Sequence, residues 1–217
     1  TYNDYFDGRD PRLAETALRR GVNTYQFGPF VPYAQSRTGF GIRKYVRNDG
    51  VTDQPSTLDY PLLRYAEVLL TYAEARFEHD GIISDLNRTV NALRDRVGMA
   101  HLTNEFVTSN HLDMRTELRR ERSVELALEG LRYDDLIRWK EAEIRLPQDV
   151  LGARFIAGEW GSVSPGSLED KLTAQNVLIV EEGTSRFFDP KKDYLYPIPS
   201  NDIAQSRGNV EQNPNWK

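Results

Sequence analysis

The chain has 217 residues, 28 basic and 33 acidic side chains, no cysteine and a formal net charge of -5. These numbers exclude a disulfide framework and thiol chemistry, and they leave no basic footprint for nucleic acid. The length fits one domain with a sizeable core, and no apolar run approaches the ~20 residues that cross a bilayer as a helix.

The first fifty residues are loop-rich. Asp10 as N-cap and Pro11 at the first position predict one short helix within DPRLAETALRR. Tyr25, Phe27, Phe30, Tyr33 and Phe40 then crowd among Gly28, Pro29, Pro32 and Gly39, a mix too broken for regular structure. Such rings either staple a loop to the core or stay exposed as a flat platform. Residues 42–46 read as a strand or an extended connector, and 48–60 as a surface connection.

From near Pro61, Leu62, Tyr65, Ala66, Leu69, Tyr72, Ala73 and Phe77 recur at helical spacing, and Gly81 ends the pattern. A second helix, capped by Ser84 or Asp85, carries Leu86, Val90, Leu93 and Val97 and stops at Gly98. The two form an αα-hairpin. Helix starts near 61, 85 and 114 give no repeat of fixed period.

Residues 116–139 form the organising stretch. Val124, Ala127, Leu128 and Leu131 make one apolar helical stripe, with Arg122, Glu125 and Glu129 on a neighbouring face. Eight basic and eight acidic residues between Arg115 and Arg145 suit ion pairing better than a polyanion grip. Gly130 interrupts this helix, and a shorter one carries Asp134 to Arg138.

Residues 147–175 are irregular, with Trp160 between Gly158 and Gly161 as another candidate exposed ring. Residues 176–180 suggest a strand that turns at Gly183 and pairs with the following RFFD. Pro197 and Pro199 force an extended YLYPIP. Trp216 is expected against the helices, and Asn215 tolerates a left-handed turn.

The run ERSVELALEGLRYDDLIRW resembles the signature of the SusD/RagB family of surface glycan-binding lipoproteins. Glu121, Arg122, Glu125, Leu126, Glu129, Gly130, Arg132, Asp135, Leu136, Arg138 and Trp139 fall on its pattern. LLRYAEVLLTYAEA at 62–75, DYLYPIPSNDI from 193, and QNPNW ending at Trp216 also match in order; Asn215 stands where the family usually has glycine. The resemblance implies a mainly α, SusD-like fold of tetratricopeptide-like helical hairpins with long irregular loops and minor β structure. It also implies that residues 1–217 are the C-terminal half of such a domain, with the N-terminal half as partner and bearer of the lipid anchor. The implied setting is the cell surface at the outer membrane. The implied function is capture of an oligosaccharide or polysaccharide for a SusC-like TonB-dependent transporter.

Composition alone singles out Tyr25, Phe27, Phe30, Tyr33 and Trp160 as ligand-binding rings, which would stack on sugar faces. No catalytic residue, metal ligand or cofactor is assigned. Glu121 with Glu125, or Asp134 with Asp135, has the composition of a hydrolase pair, but helical spacing and balanced charge explain them more simply. His79, His101 and His111 lack zinc-ligand spacing. Arg64, Glu67, Glu74, Arg122, Glu125, Glu129, Arg132, Asp135 and Arg138 are expected to tie the helices together as a buried ion-pair network. The alternatives are a helical scaffold for protein or peptide and, further off, a glycoside hydrolase.

Overall fold

The computed structural model describes residues 1–24, 28–46, 59, 61–81, 84–160 and 171–216. They divide into two units, Thr1–Arg132 with Gly152–Leu178, and Tyr133–Leu151 with Ile179–Lys217. The fold is mainly α, with 40% helix and 9% strand.

In the first unit a 3-10 turn, Tyr2–Phe6, precedes α1, Arg12–Thr16. Asp10 Oδ1 accepts from the Arg12 backbone N–H at 3.0 Å, so Pro11 becomes the cap instead of the first helical residue. The short strands β1, Asn23–Thr24, and β2, Gly28–Pro29, pair antiparallel. Ile42 makes only an isolated bridge to Ala17, so residues 42–46 are a connector.

Helix α2, Tyr65–Asp80, starts later than its apolar pattern. Arg64 is extended at φ -116 and ψ 149, which leaves Leu62 and Leu63 outside the helix. Gly81 closes α2 at φ 71, its N–H bonded to Phe77 O at 2.7 Å, a left-handed cap that glycine adopts without Cβ strain. The second arm of the hairpin is not one helix. A 3-10 turn, Leu86–Arg88, gives way at Thr89 to α3, Val90–Arg96, and the Thr89 hydroxyl bonds Asp85 O at 2.8 Å.

Thr103 and Asp113 act as N-caps for α4, Asn104–Ser109, and α5, Met114–Glu125; their side chains accept from Phe106 N at 2.9 Å and Thr116 N at 2.8 Å. α5 ends at Glu125, short of the predicted stripe. Leu128 at φ 65 and Gly130 at φ 82 form a turn before α6, Arg132–Arg138. Leu128 is therefore exposed, while the buried face of α5 carries Glu117, Leu118, Glu121, Arg122 and Glu125.

One core joins Ala66, Leu69, Leu70 and Ala73 of α2 to Leu86, Val90, Leu93, Leu102, Val107, Met114, Leu118 and Leu126. Each fully buried Leu or Val contributes about 2 kcal/mol, and the small Ala66 and Ala73 let neighbouring helices come close. Asn91, wholly buried, donates to Leu102 O at 2.9 Å and accepts from Leu102 N at 2.7 Å, pinning the segment after α3. A second core is mostly aromatic: Tyr2, Phe6, Ala17, Phe30, Ala153 and Trp160.

In the second unit, Leu136 of α6 packs with Ala142 of α7, Ala142–Arg145, and with Phe188, which meets Tyr194 edge-on at 4.8 Å. Strand β3, Val150–Arg154, and strand β4, Val177–Glu181, pair with each other and carry the chain from one unit to the other. This replaces the expected hairpin of 176–180 with RFFD: Gly183 lies in a 3-10 turn instead, where any Cβ would collide with Pro147 O. Helix α8, Ser200–Gln205, follows Pro199. Trp216 packs on the 191–195 loop rather than on a helix, its Nε1 bonded to Leu195 O at 2.9 Å, and Asn215 takes φ 64.

Candidate functional site

Three groups of side chains bear on function. The first is the aromatic loop. Phe30 and Trp160 are each 2% exposed, and Tyr33 stacks on Trp160 with ring centroids 3.7 Å apart. Phe155 also stacks on Trp160, at 4.9 Å, and the Tyr33 hydroxyl donates to Ala153 O at 2.6 Å. Burial pushes the phenol pKa values of Tyr2 and Tyr33 up. Phe30 and Trp160 thus staple the loop to the core, which corrects the expectation of an exposed platform at these two rings. Tyr2 of the 3-10 turn at the start of the chain lies against Phe30, with ring centroids 6.2 Å apart, and Tyr33 and Phe155 cover Trp160. Tyr33 is half-buried. Tyr25 and Phe27 lie outside the described residues.

The second group centres on Glu125. Arg12 Nη1 donates to its Oε2 at 3.0 Å, Arg64 Nη1 to its Oε1 at 3.1 Å, and Arg96 Nη2 to both oxygens at 2.8 Å. Arg12 also grips Asp10 through Nε and Nη2 and lies 2.7 Å from Glu121 Oε1, a charge contact without an aligned hydrogen bond. Arg94 Nη1 donates to the other Glu121 oxygen at 2.7 Å. Arg64 and Lys44 both reach Glu129 at 2.6 Å, and Lys44 Nζ additionally takes the Glu125 and Ala127 carbonyls at 2.9 and 3.0 Å.

Burial opposes ionisation of Glu129, yet its bonds from Arg64 and Lys44 hold its pKa below the usual range. Asp10 behaves the same way beside Arg12. Arg12 and Arg64 are held charged by these partners. Glu121 and Glu125, one of the pairs a hydrolase would use, are each committed to guanidinium groups.

The network keeps Arg64, Glu125 and Glu129 from the sequence reading and adds Asp10, Arg12, Lys44, Arg94, Arg96 and Glu121. Of the other expected members, Glu74, Arg122 and Asp135 are buried too. Arg122 donates to Thr71 Oγ1 at 3.1 Å. Asp135 pairs with Arg138 at 2.8 Å within α6, and the exposed Arg132 donates to Ser123 Oγ at 2.6 Å. Periodicity could not find Arg12 or Lys44, because nothing local marks a cation whose partner lies about a hundred residues away.

The third group consists of exposed rings in the second unit. Tyr196 is 73% and Tyr133 38% exposed. Slight burial, then the hydrogen bond to the Tyr196 hydroxyl, raises the Tyr133 pKa. The Asn213 amide holds the Tyr196 backbone, donating to its carbonyl at 2.6 Å. Lys140 lies 3.9 Å over Tyr194 and Lys192 4.6 Å over Trp216. Tyr196 lies in the YLYPIP stretch and Tyr133 in the signature run, so both were visible in the sequence, but their exposure was not.

Among the described residues no cluster of three or more His, Asp or Glu can hold a metal ion, and no helix is long and apolar enough to cross a membrane.

The sequence model of the SusD family (SusD_RagB) matches residues 1–216. The chain is 28% identical over 227 aligned positions to the SusD-like protein P2 of Formosa agariphila, covering 99% of this chain and 39% of that protein. A crystal structure of a SusD-like protein from Bacteroides fragilis superposes with TM-score 0.69 at 26% identity, over 98% of this chain and 40% of that one. The solved structure of BT4246 shares the fold, with TM-score 0.68 at 21% identity, over 96% of this chain and 37% of its own. The chain therefore spans about two fifths of the length of the relatives it matches. With the family match running from the first residue to the last but one, and with the signature helix at the centre of its buried ion network, this chain belongs to the SusD family.

Proposed function

We propose that this chain is the C-terminal part of a surface protein that binds oligosaccharide and passes it, uncleaved, to a SusC-like TonB-dependent outer-membrane transporter. The family's proteins are in general surface glycan-binding proteins, and the match across residues 1–216 is the observation that carries this reading. In this proposal a lipid anchor outside the 217 residues holds the protein at the outer membrane.

The contacts we assign to the glycan are stacking on Tyr196 and Tyr133, supported by their exposure and by the fixed Tyr196 backbone. Phe30 and Trp160, each 2% exposed, are left out of this proposal. A sugar face covering about 40 Å² of ring gains about 1 kcal/mol at ~25 cal/mol/Å², so several contacts are required for even weak binding. Calorimetric titration with a panel of oligosaccharides, followed by chromatography of the recovered sugars, tests the proposal. Binding with every sugar returned intact is expected; reproducible cleavage, or no binding across the panel, would overturn it.

A further inference from the structure

Pro197 and Pro199 flank Ile198 and carry no backbone donor. Each also drives the residue before it towards an extended conformation, so neither Tyr196 nor Ile198 gains from helical bonding. Ile198 is half-buried, and its N–H and C=O need partners there.

The partners come from the end of the chain, and they are side chains. Gln212 Oε1 accepts from Ile198 N at 2.7 Å, and its Nε2 donates to Ile198 O at 2.9 Å, the reciprocal pair that a neighbouring strand would supply. Asn213 Nδ2 donates to Tyr196 O at 2.6 Å, and Trp216 Nε1 to Leu195 O at 2.9 Å. The backbone of Leu195, Tyr196 and Ile198 is thus held by Trp216, Asn213 and Gln212 in turn, the two segments running in opposite directions.

The clamp is braced internally. Gln212 Oε1 also accepts from Asn213 N at 2.9 Å, and Asn213 O accepts from Trp216 N at 3.2 Å. Turning the Gln212 amide over would set its nitrogen against two N–H groups, so its orientation is fixed. The clamp grips backbone on both sides of Tyr196 and leaves the ring 73% exposed. A ring on a free loop loses backbone and side-chain freedom when a ligand stacks on it, whereas a ring on a fixed backbone loses only the side-chain part.

We propose that Gln212 and Asn213 are positioning residues for ligand binding, which hold the Tyr196 backbone in the conformation that presents its ring, so that this ordering is done in folding and not in binding. That the ligand is an oligosaccharide rests on the glycan-binding reading above.

The test is a double-mutant cycle on the whole chain, read by calorimetric titration with the oligosaccharide of the panel that binds wild type most tightly. Gln212→Met keeps the length of the side chain and removes both bonds to Ile198; Asn213→Ala removes the bond to Tyr196. Each should weaken binding about three- to tenfold, the effect of leaving one loop and its side chain to be ordered by the ligand. Neither should weaken it further in a Tyr196→Ala background, because the effect acts through that ring. A loss of the same size with and without the Tyr196 ring overturns the proposal, as does unchanged affinity in both single variants. Hydrogen exchange gives a second readout: the Ile198 amide should be protected in wild type and exchange fast in Gln212→Met. Fast exchange at Ile198 in wild type overturns the clamp whether or not the variants fold.

Failure of the two readings is distinguishable. Oligosaccharide binding that Gln212→Met and Asn213→Ala leave unchanged would keep glycan binding and remove the positioning role. No binding by wild type across the panel would overturn the glycan reading and the role in binding together, and a protected Ile198 would then leave a clamp that serves the fold alone.

Discussion

Arg12 Nη1 lies 3.0 Å from Glu125 Oε2 across 113 residues of sequence, with both side chains almost wholly buried. Truncating either partner strands a charge in the interior. Arg12→Ala and Glu125→Ala should each cost about 3–5 kcal/mol in urea unfolding. The exposed Arg132 offers the contrast, and Arg132→Ala should cost under about 1 kcal/mol. Equal losses at all three positions would mean that the network does not hold the fold.

Acid should loosen the same network. Burial alone would raise the pKa values of Asp10 and Glu129, but Arg12 in the first case, and Arg64 with Lys44 in the second, bring both below their ordinary values. The folded state therefore binds fewer protons than the unfolded chain in the acid range. Stability from these two groups is present above the ordinary carboxylate pKa of about 4 and is lost as pH falls through it towards the folded values. Melting temperature measured from pH 7 to 3 should fall below about pH 4.5. Glu129→Gln should start lower at pH 7 and fall less steeply.

Asn91 substitutes for a missing strand. Its amide supplies both the donor and the acceptor that Leu102 needs in a dry environment. Asn91→Leu leaves both Leu102 groups without partners and should cost about 2–4 kcal/mol. Hydrogen exchange offers a second readout, because the Leu102 amide should be strongly protected in wild type and fast in the variant.

Stability and binding should separate at the aromatic residues. Tyr196→Ala, at a ring 73% exposed, should leave the melting temperature nearly unchanged while reducing oligosaccharide affinity about tenfold. Trp160→Ala should instead cost about 3–5 kcal/mol of stability. A Tyr196→Ala variant with wild-type affinity would place the glycan elsewhere.

Leu62, Tyr65, Val68 and Tyr72 are 93%, 73%, 45% and 45% exposed, on and just ahead of α2. A row of this kind binds hydrophobic dyes and partners. The 217-residue chain should enhance ANS fluorescence, and Leu62→Ser combined with Val68→Lys should reduce the enhancement by about half or more. An unchanged signal would assign the dye to another surface.

Local chemistry was legible where it acts locally. The stop at Gly81, the turn at Gly98 and the left-handed Asn215 all follow from what one residue's backbone tolerates. The apolar stripe over α5 was misread because periodicity counts apolar residues as the buried ones, whereas Glu117 and Glu121 face inward together with Arg122 and Glu125, the two charges that were expected inside. Glu117 is paired within the helix by Arg120, but Glu121, Arg122 and Glu125 meet side chains from distant segments, which no window of sequence contains. The aromatic loop was misread for a related reason: Phe30 is covered by Tyr2, and Trp160 by Tyr33, each far from its partner in sequence.

The order of the network along the chain has a consequence for biosynthesis. Its cations, at 12, 44, 64, 94 and 96, all precede Glu121, Glu125 and Glu129, and only Asp10 comes earlier. A ribosome releases the chain amino end first, so every arginine of the cluster, and its lysine, emerges before the acids that neutralise most of them. From the emergence of Arg96 until Glu121 has cleared the exit tunnel, the nascent segment holds five cations of the network against one of its carboxylates. The helical hairpin of α2 and α3 can collapse on its own apolar faces in that interval, but its charged edge must wait for α5.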